Sequence, residues 1–291
     1  MKKFATSLSR ALAFVWSFLP WKVNPILGSF LAFLWFDLFR IRRDVILENI
    51  HLAFPQMNER ERVRLGRASM RSVCRSFFDV IKIPSLTNEW IKQNVIFENV
   101  HRLTDYLEKN DKGILFLTLH LGSGDLGGAV ISQYLLPSTL ISKRFRSEFL
   151  DQFWFSLRGR SKTEFIDAHS QRNAYEILAA LKKKRGVMFV LDQFMGKPFG
   201  LETTFFGHKT GTAYGLSLFA KKTGLPVMPI YNYWGENGLL HICFSEPVAL
   251  KPDLSETNVE ITQKFNGALE TIITQHPDQW MWVHRRWKKF E

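Results

Sequence analysis

Short apolar runs alternate with helical stretches from about residue 110 onward, and this alternation limits the folds that the chain can adopt. The apolar runs are Ile114–Leu119, Thr139–Ile141, Val187–Leu191, Val227–Tyr231 and Leu240–Phe244. The helical stretches are Leu126–Tyr134, Gln171–Lys184, Thr212–Lys222 and Val259–Thr274. Uninterrupted apolar runs are typical of strands buried on both faces, and alternating strands and helices form right-handed crossover units. The sequence therefore predicts an α/β fold with a mostly parallel central sheet flanked by helices.

The N-terminal segment is apolar and predicts a membrane-associated helical region. Residues 11–21 and 23–36 carry no charge, and each run is shorter than the roughly 18–20 residues that cross a bilayer as a helix. We expect a retained anchor that spans or dips into the bilayer. The alternatives are a buried helical hairpin and a signal peptide, although Pro20 and Trp21 stand where a cleavage site is needed. The predicted division is a membrane anchor and basic helical region at 1–110 and an α/β catalytic region at 111–291, packed into one domain with the helices of 45–110.

Positive charge is concentrated in the same apolar part of the chain. Of the net charge of +12, +8 falls within residues 1–75, which hold 13 Lys or Arg against 5 Asp or Glu. This combination favours an anionic membrane surface over a nucleic acid. Residues 58–83 predict an amphipathic helix with a stripe of arginines, namely Arg60, Arg64, Arg67, Arg71 and Arg75. We predict that Arg64, Arg67 and Arg71 contact membrane lipid phosphates, with an acidic protein partner or a solvated face as alternatives.

Polar residues follow the first three apolar runs. His120 follows the first run, Lys143 and Arg144 follow the second, and Asp192 and Gln193 follow the third. Ligands of parallel sheets bind at the carboxyl ends of the strands. The sequence therefore predicts that these residues lie at the functional site.

The loop HLGSGD at His120–Asp125 supports more than one mechanism. From Gly122 onward it matches the G-x-G-x-x-G dinucleotide fingerprint, which predicts an NADP-dependent reductase with Arg144 suited to the 2′-phosphate. Two residues intervene between the strand and the first glycine, however. Asp125 also occupies the helix N-terminus where a pyrophosphate must bind, and like charges repel.

Read from His120, the same loop predicts acyl transfer. A histidine is the suitable base for a hydroxyl that attacks a thioester at neutral pH, and a carboxylate fixes its tautomer and stabilises the imidazolium. The glycines between them allow Asp125 to turn toward the ring. A strand-end histidine and a helix-capping aspartate without catalytic function are the remaining alternative.

The loop resembles the H-x4-D/E motif of membrane glycerolipid and lipid A acyltransferases, and further segments strengthen the resemblance. RRDVILENIHLAFPQMNERER (42–62), FFGHKTGTAYGLSLFAKKTGLPVMPIY (205–231) and HPDQWMWVHRRWK (276–288) are similar, in order, to blocks of bacterial lipid A late acyltransferases. The resemblance implies a glycerolipid acyltransferase-like fold. It also implies an enzyme at the cytoplasmic face of the bacterial inner membrane, moving a lauroyl- or myristoyl-like chain. The donor is an acyl carrier protein or CoA thioester, and the acceptor is a hydroxyl of a lipid A precursor or related glycolipid.

The same resemblance assigns roles to individual residues. It makes His120 the general base and Asp125 its orienting partner, with Asp in place of the Glu that is common in the family. Arg144, Asp192 and Gln193 match residues that follow the second and third strands, and we expect them to bind substrate. The two residues after Arg144 replace a proline-containing segment, which leaves the identity of the glycolipid acceptor open. We expect no cofactor, and the histidine spacing predicts no metal site.

The C-terminal segment interleaves basic and aromatic residues, namely Trp280, Trp282, His284, Arg285, Arg286 and Trp287. Such a cluster is typical of a membrane interface or of a single-stranded nucleic-acid site. Because it is the one cluster of its kind in the sequence, we expect no nucleic-acid partner. A non-enzymatic protein that binds anionic membranes is the third functional hypothesis, beside the acyltransferase and the reductase.

Overall fold

A computed structural model describes residues 2–159, 161–253 and 255–291. The strands in these residues are β1 (Val95–Glu98), β2 (Ile114–Thr118), β3 (Ser138–Ser142), β4 (Glu164–Asp167), β5 (Gly186–Val190), β6 (Gly200–Phe205), β7 (His208–Ala213), β8 (Val227–Trp234) and β9 (Leu240–Phe244). The helices are α1 (Lys2–Ser17), α2 (Val23–Ala32), α3 (Arg43–Ala53), α4 (Glu59–Lys82), α5 (Asn88–Asn94), α6 (His101–Lys109), α7 (Gly124–Tyr134), α8 (Glu148–Arg158), α9 (Asn173–Lys182), α10 (Gly215–Thr223) and α11 (Asn258–Gln275). A π-helical segment (Phe33–Leu38) continues α2, and a 3₁₀ turn (Ile83–Ser85) follows α4.

Within the described residues, seven strands form one sheet in the order β1–β9–β8–β2–β5–β3–β4. Neighbouring strands of this sheet run parallel except for the antiparallel pair β8 and β9. Strands β6 and β7 form a separate antiparallel hairpin. The predicted α/β class and mostly parallel sheet are therefore confirmed. Strand β1 precedes residue 110 and pairs with β9, so the sheet includes residues from both predicted regions.

The apolar runs of the sequence coincide with strands, and the run Leu240–Phe244 has the same bounds as β9. The helix predicted from Thr212 begins instead at Gly215, because residues 212–213 pair with β6 as the end of β7. The sequence does not predict β1, β4, β6 or β7. Strands β1 and β4 have four residues each, which is too short for a periodic pattern to stand out, and β6 and β7 contain no uninterrupted apolar run.

Helices cover both faces of the sheet. Leu115 and Leu117 of β2 pack in a core with α9, α10 and α11, whereas Ile114 and Phe116 point to the other face and pack with α7 and α8. This alternation is what a strand in extended conformation dictates. Helix α4 contributes to both cores and contacts α7, so it lies across the sheet edge where the loop after β2 emerges.

The N-terminal helices expose large apolar side chains. In residues 4–39, those more than 60 % exposed are Phe4, Phe14, Phe18, Ile26, Phe30 and Phe39. This exposure contradicts the alternative of a buried hairpin. The opposite face of α2 packs so closely on α4 that a Cβ at Gly28 would lie 2.7 Å from the backbone nitrogen of Arg75.

No single helix in the described residues is long and apolar enough to cross a membrane. One bent pair of segments is long and apolar enough when its members are taken together. The pair is Val23–Leu38 and Arg43–Ala53, with an angle of 93° between them.

Candidate active site

The C-terminal segment holds the loop that follows β2. The backbone N–H of Gly122 donates to the carbonyl of Gln279 at 3.1 Å, and the N–H of Met281 donates to the carbonyl of His120 at 3.1 Å. Gly122 has a φ of 58°, a left-handed conformation that favours glycine. The turn at this glycine directs the chain into α7, and the backbone bonds fix its position.

The aromatic and basic residues of the C-terminal cluster lie largely inside the protein. Trp280 is 2 % exposed, and Trp282 and Arg286 are fully buried. Arg286 donates to the carbonyl of Gly211 and to Oγ1 of Thr212, both at 2.6 Å. These buried side chains contradict a membrane-interface or nucleic-acid role for them, because both roles require exposed rings.

His120 and Asp192 form a direct pair at the carboxyl ends of β2 and β5. Nδ1 of His120 lies 2.8 Å from Oδ1 of Asp192, and the backbone N–H of His120 donates to Oδ2 at 3.0 Å. The indole N–H of Trp280 donates to the same Oδ2 at 2.8 Å. A carboxylate only accepts hydrogen bonds, so this contact places the proton of a neutral ring on Nδ1. Nε2 is then the ring nitrogen that can accept a proton.

The electrostatics of this pair suit a base. Burial lowers the pKa of His120, but the charge of Asp192 and the hydrogen bond to it, with the charge of Asp125 added, raise the pKa above the usual 6.5. Burial raises the pKa of Asp192, but the charge of His120 and the hydrogen bonds from His120 and Trp280 bring it below the usual 3.8. Asp192 is therefore ionised at neutral pH and stabilises an imidazolium.

Asp125 pairs with an arginine, not with His120. Its Oδ1 lies 2.6 Å from Nη2 of Arg158, whose side chain is 8 % exposed. Among the described residues no hydrogen bond joins Asp125 to His120. The reason is position, because Asp125 lies in the first turn of α7 beside α8, whereas Asp192 follows the strand next to β2. Asp192 thus makes the contact expected of Asp125, and a catalytic role of Asp125 stays a prediction.

Gln193 and Arg144 take different positions. Nε2 of Gln193 lies 3.4 Å from both ring nitrogens of His120, and Gln193 lines the cavity described below. Arg144 instead forms an ion pair with Asp151 at 2.6 Å, and its guanidinium lies 4.1 Å from the ring centroid of Phe155. The structure therefore brings Gln193 to the His120 ring and directs Arg144 toward α8.

Two residues at the site were not singled out as site residues from the sequence. Arg158 is the last residue of α8 and one of the few charged side chains that are buried. Trp280 holds Asp192 from a segment 88 residues farther along the chain. The sequence gives little indication that Arg158 and Trp280 belong to the site, because neither residue follows a predicted strand.

A cavity of about 1050 Å³ opens beside His120 and extends onto both faces of the sheet. Between α7 and the sheet it is lined by Gly127, Gly128, Ile131, Leu140, Met188, Ile230 and Ile242, which we call the α7 lobe. On the opposite face it is lined by Ile141, Ala174, Ile177, Phe189, Leu218, Phe219 and Lys222, which we call the α10 lobe. Small-molecule pockets measure roughly 300–1,000 Å³, so this cavity lies at the upper end of that range.

The arginine stripe of α4 is divided between exposed and paired side chains. Arg67 donates to both oxygens of Asp37 at 2.8–3.1 Å, so its charge is compensated. The side chain of Arg75 points inward, and its Nε lies 3.5 Å from Oδ2 of the buried Asp79. Arg64 and Arg71 are exposed. Two of the three arginines predicted to contact lipid are therefore open to solvent, and the third has a protein partner.

Comparison with known proteins identifies a family to which the sequence is similar. The sequence profile described as bacterial lipid A biosynthesis acyltransferase matches residues 1–289. The lipid A biosynthesis palmitoleoyltransferase of Escherichia coli K12 is 22 % identical over 275 residues, which cover 94 % of this chain and 88 % of the relative. A lipid A biosynthesis acyltransferase of Haemophilus influenzae is 26 % identical over 255 residues (85 % and 78 %). The phosphatidylinositol mannoside acyltransferase of Mycolicibacterium smegmatis is 22 % identical over 225 residues (77 % and 72 %).

Proposed function

The chain belongs to the bacterial lipid A biosynthesis acyltransferase family, and from this membership we propose that it moves a fatty acyl chain from an acyl carrier protein or CoA thioester to a hydroxyl of a lipid A precursor or related glycolipid. Membership makes the chain an acyltransferase, so the reductase and the non-enzymatic membrane protein are set aside. The names of the relatives refer to lipid A biosynthesis and to acyl transfer involving phosphatidylinositol mannoside, which supports a glycolipid acceptor. The observation that carries the proposal is the His120–Asp192 pair beside a large, mainly apolar cavity.

His120 acts as the general base in this proposal. Nε2 takes the proton of the acceptor hydroxyl while that oxygen attacks the thioester carbonyl, and Asp192 stabilises the imidazolium. The tetrahedral intermediate then expels the thiolate, which receives the proton from Nε2. The acceptor gains an ester, the donor becomes a thiol, and His120 returns to its neutral form. No nucleophilic side chain is required, because the acceptor oxygen itself attacks.

The first turn of α7 stabilises the negative oxygen of this intermediate, since the charge of Asp125 in that turn is compensated by Arg158. Gly124 and Asp125 line the cavity, and the N-cap residue Ser123 makes no side-chain hydrogen bond to the turn. The first N–H groups of a helix have no acceptor within the helix, and they carry partial positive charge. Donors of this kind, fixed where charge develops, stabilise an oxyanion strongly. Their place beside His120 supports this role.

Both lobes of the cavity are lined mainly by apolar side chains, but of the residues that define them only Lys222 of the α10 lobe is charged. The α7 lobe is lined mainly by aliphatic side chains and glycines and holds the acyl chain. The α10 lobe has Lys222 on its wall, and Lys143 lines the cavity near it. Lysines bind phosphate as point charges. This lobe therefore receives the polar, phosphate-bearing part of a substrate, which both the donor arm and a lipid A precursor contain.

The exposed apolar surface of α1 and α2 rests on the membrane. Phe77 is 37 % and Phe145 is 47 % exposed, and both line the cavity, so the cavity reaches apolar side chains at the protein surface. Arg64 and Arg71 then meet anionic lipid phosphates, because basic residues flank the buried face of a helix at a bilayer. We place the enzyme at the cytoplasmic face of the inner membrane, where acyl carrier protein supplies the chain.

The proposal is tested by incubating the purified full chain in detergent with lauroyl- or myristoyl-acyl carrier protein, or with the corresponding CoA thioester. A lipid A precursor and a phosphatidylinositol mannoside serve as acceptors, and products are identified by mass spectrometry. We expect a mass gain of one acyl group on a glycolipid, absent with the folded His120→Ala variant. Lipids from cells with and without the gene should differ by the same mass. If a folded protein acylates neither acceptor and the cellular lipids are unchanged, the proposal is wrong.

A further inference from the structure

A buried carboxylate on α4 is joined to the catalytic loop. The hydroxyl of Ser123 donates to Oδ2 of Asp79 at 2.5 Å and accepts from the indole N–H of Trp234 at 3.0 Å. Oδ1 of Asp79 accepts from the side-chain amide of Asn24 at 2.8 Å. Asp79 and Ser123 are each only 1 % exposed. A buried carboxylate is costly unless it is compensated, so this network is built into the core, and the two bonds to the Ser123 hydroxyl specify where that side chain lies.

Ser123 occupies the N-cap position of α7 but does not cap the helix. A serine is favoured at this position because its oxygen accepts from the N–H groups of the first turn. In the same chain the side chains of Asn58, Thr87, Ser147 and Thr257 cap α4, α5, α8 and α11, each with an extended backbone and ψ between 115° and 170°. Ser123 has a ψ of 71° and no side-chain cap bond. Its hydroxyl is committed instead to Asp79, to which it donates, and to Trp234, from which it accepts.

This commitment matters for the loop between His120 and α7. The backbone N–H of Ser123 donates to Oδ1 of Asn232 at 3.0 Å, so both ends of the residue are fixed. If the hydroxyl were released, ψ of Ser123 would be free to rotate toward the extended value of a capping residue. The hydroxyl oxygen would then occupy an N–H group of the first turn, and the peptide between Ser123 and Gly124 would reorient.

We propose that Asp79 is a positioning residue for acyl transfer, which holds the Ser123 hydroxyl away from the first turn of α7 and thereby keeps that turn open beside His120. The inference rests on the proposed acyltransferase function. Asp79 does not line the cavity and reaches the site through Ser123, and it also forms an ion pair with Arg75 of its own helix at 3.5 Å. The network also reaches the N-terminal helices, since Asn24 of α2 accepts from the indole N–H of Trp16 of α1 at 3.1 Å.

The test is a double-mutant cycle with Asp79→Ala, Ser123→Ala and the double variant, made in the full chain. Acyl transfer from acyl carrier protein to the glycolipid is followed as kcat and KM. Asp79→Ala is expected to lower kcat by on the order of tenfold or more, the scale of losing an oxyanion donor, with little change in KM. In the Ser123→Ala background the same change should lower kcat by less than about threefold, because no hydroxyl remains to cap the turn. If Asp79 has only a structural role, its loss should lower kcat by the same factor with and without the Ser123 hydroxyl.

Asn24→Ala is the matched control. It removes another hydrogen bond to Asp79 and leaves Ser123 held, so we expect a lower thermal stability and an unchanged kcat. If Asp79→Ala shows no cooperative unfolding transition, the cycle is repeated with Asp79→Leu, which also removes the acceptor of the Ser123 hydroxyl and fills the space with an apolar side chain of similar size.

Two results overturn the inference. One is a loss of kcat that is equally large in the Ser123→Ala background, and the other is a loss with Asn24→Ala that equals the loss with Asp79→Ala. Failure of the proposed function looks different, because the wild-type protein itself then transfers no acyl group.

Discussion

Nδ1 of His120 lies 2.8 Å from Oδ1 of Asp192, although the two residues are 72 positions apart in the chain. The register of the sheet explains the contact. Thr118 of β2 is paired with Val190 of β5 in a parallel ladder, so the residue two positions beyond each strand emerges at the same point of the sheet edge. The base and its carboxylate therefore come from adjacent strands, and the Asp125 of the loop is left to pair with Arg158.

His120→Ala is expected to lower acyl transfer by ~10²–10⁴-fold, because the base that removes the hydroxyl proton is lost. The measurement is kcat/KM with acyl carrier protein as donor, together with a thermal unfolding curve that shows an intact fold. His101→Ala, at an exposed position at the start of α6, is the control and should keep its activity. A folded His120→Ala variant with wild-type activity would remove the mechanism.

Asp192→Asn is expected to cost more activity than Asp125→Asn. The amide cannot stabilise the imidazolium and favours the wrong ring tautomer, a change that costs about 10⁴-fold in the serine protease triad. Asp125→Asn weakens the ion pair with Arg158 and acts on His120 only through charge, so a smaller loss is expected. Both variants are compared by kcat at saturating donor. A larger loss in Asp125→Asn supports the orienting role that the sequence motif assigns to Asp125.

Activity should rise with pH through the titration of His120. The neutral ring is the active form, and the pKa of His120 is raised above 6.5, so the acid limb of kcat/KM should have its midpoint above 6.5. Asp192→Asn removes the charge that opposes the effect of burial and should move this midpoint to lower pH. The measurement is the pH profile of residual activity in both proteins. A midpoint that stays in place or moves upward contradicts the assignment.

Gly127→Ala and Gly128→Ala should differ in their effect on the free energy of unfolding. A Cβ at Gly127 would lie 2.6 Å from Nδ2 of Asn232, whereas a Cβ at Gly128 would lie 3.6 Å from Sδ of Met188, an ordinary contact. We expect Gly127→Ala to destabilise the protein by about 1–3 kcal/mol. Gly128→Ala should be neutral or stabilise it by about 0.5–1 kcal/mol, as an alanine does within a helix. Denaturant unfolding measures both, and equal effects would show that Asn232 moves aside.

Arg64→Gln and Arg71→Gln should each weaken binding to anionic vesicles by about 1 kcal/mol. Arg67→Gln should weaken it less, because Asp37 already compensates that charge. Binding is measured by co-sedimentation with vesicles that contain phosphatidylglycerol, and phosphatidylcholine vesicles are the control. We expect the affinity for acyl carrier protein in detergent to change much less. If carrier affinity falls while vesicle binding holds, the stripe is a docking site for the carrier.

The fold follows to a large extent from local patterns. Runs such as Val187–Leu191 are apolar without interruption, so they are buried on both faces and become central strands wherever the helices pack. The sequence pattern does not predict strand β4 (Glu164–Asp167). Its four residues lie at a sheet edge and form a strand because they pair with β3. The sequence pattern predicts Thr212 in a helix, but Thr212 is a strand residue because it pairs with Leu201 of β6.

The sequence by itself determined the strands with uninterrupted apolar runs, the helices that alternate with them and the position of His120 at a strand end, since these depend on neighbours within about ten residues. The tertiary structure decided which carboxylate meets the ring, because strand order brings Asp192 beside β2 and directs Asp125 to Arg158. It also decided that Trp280 is buried beside Asp192 and that Arg67 is paired with Asp37. The physical reason is that hydrogen bonds and ion pairs act over about 3–4 Å, and distances on that scale between remote residues exist only once the chain has packed.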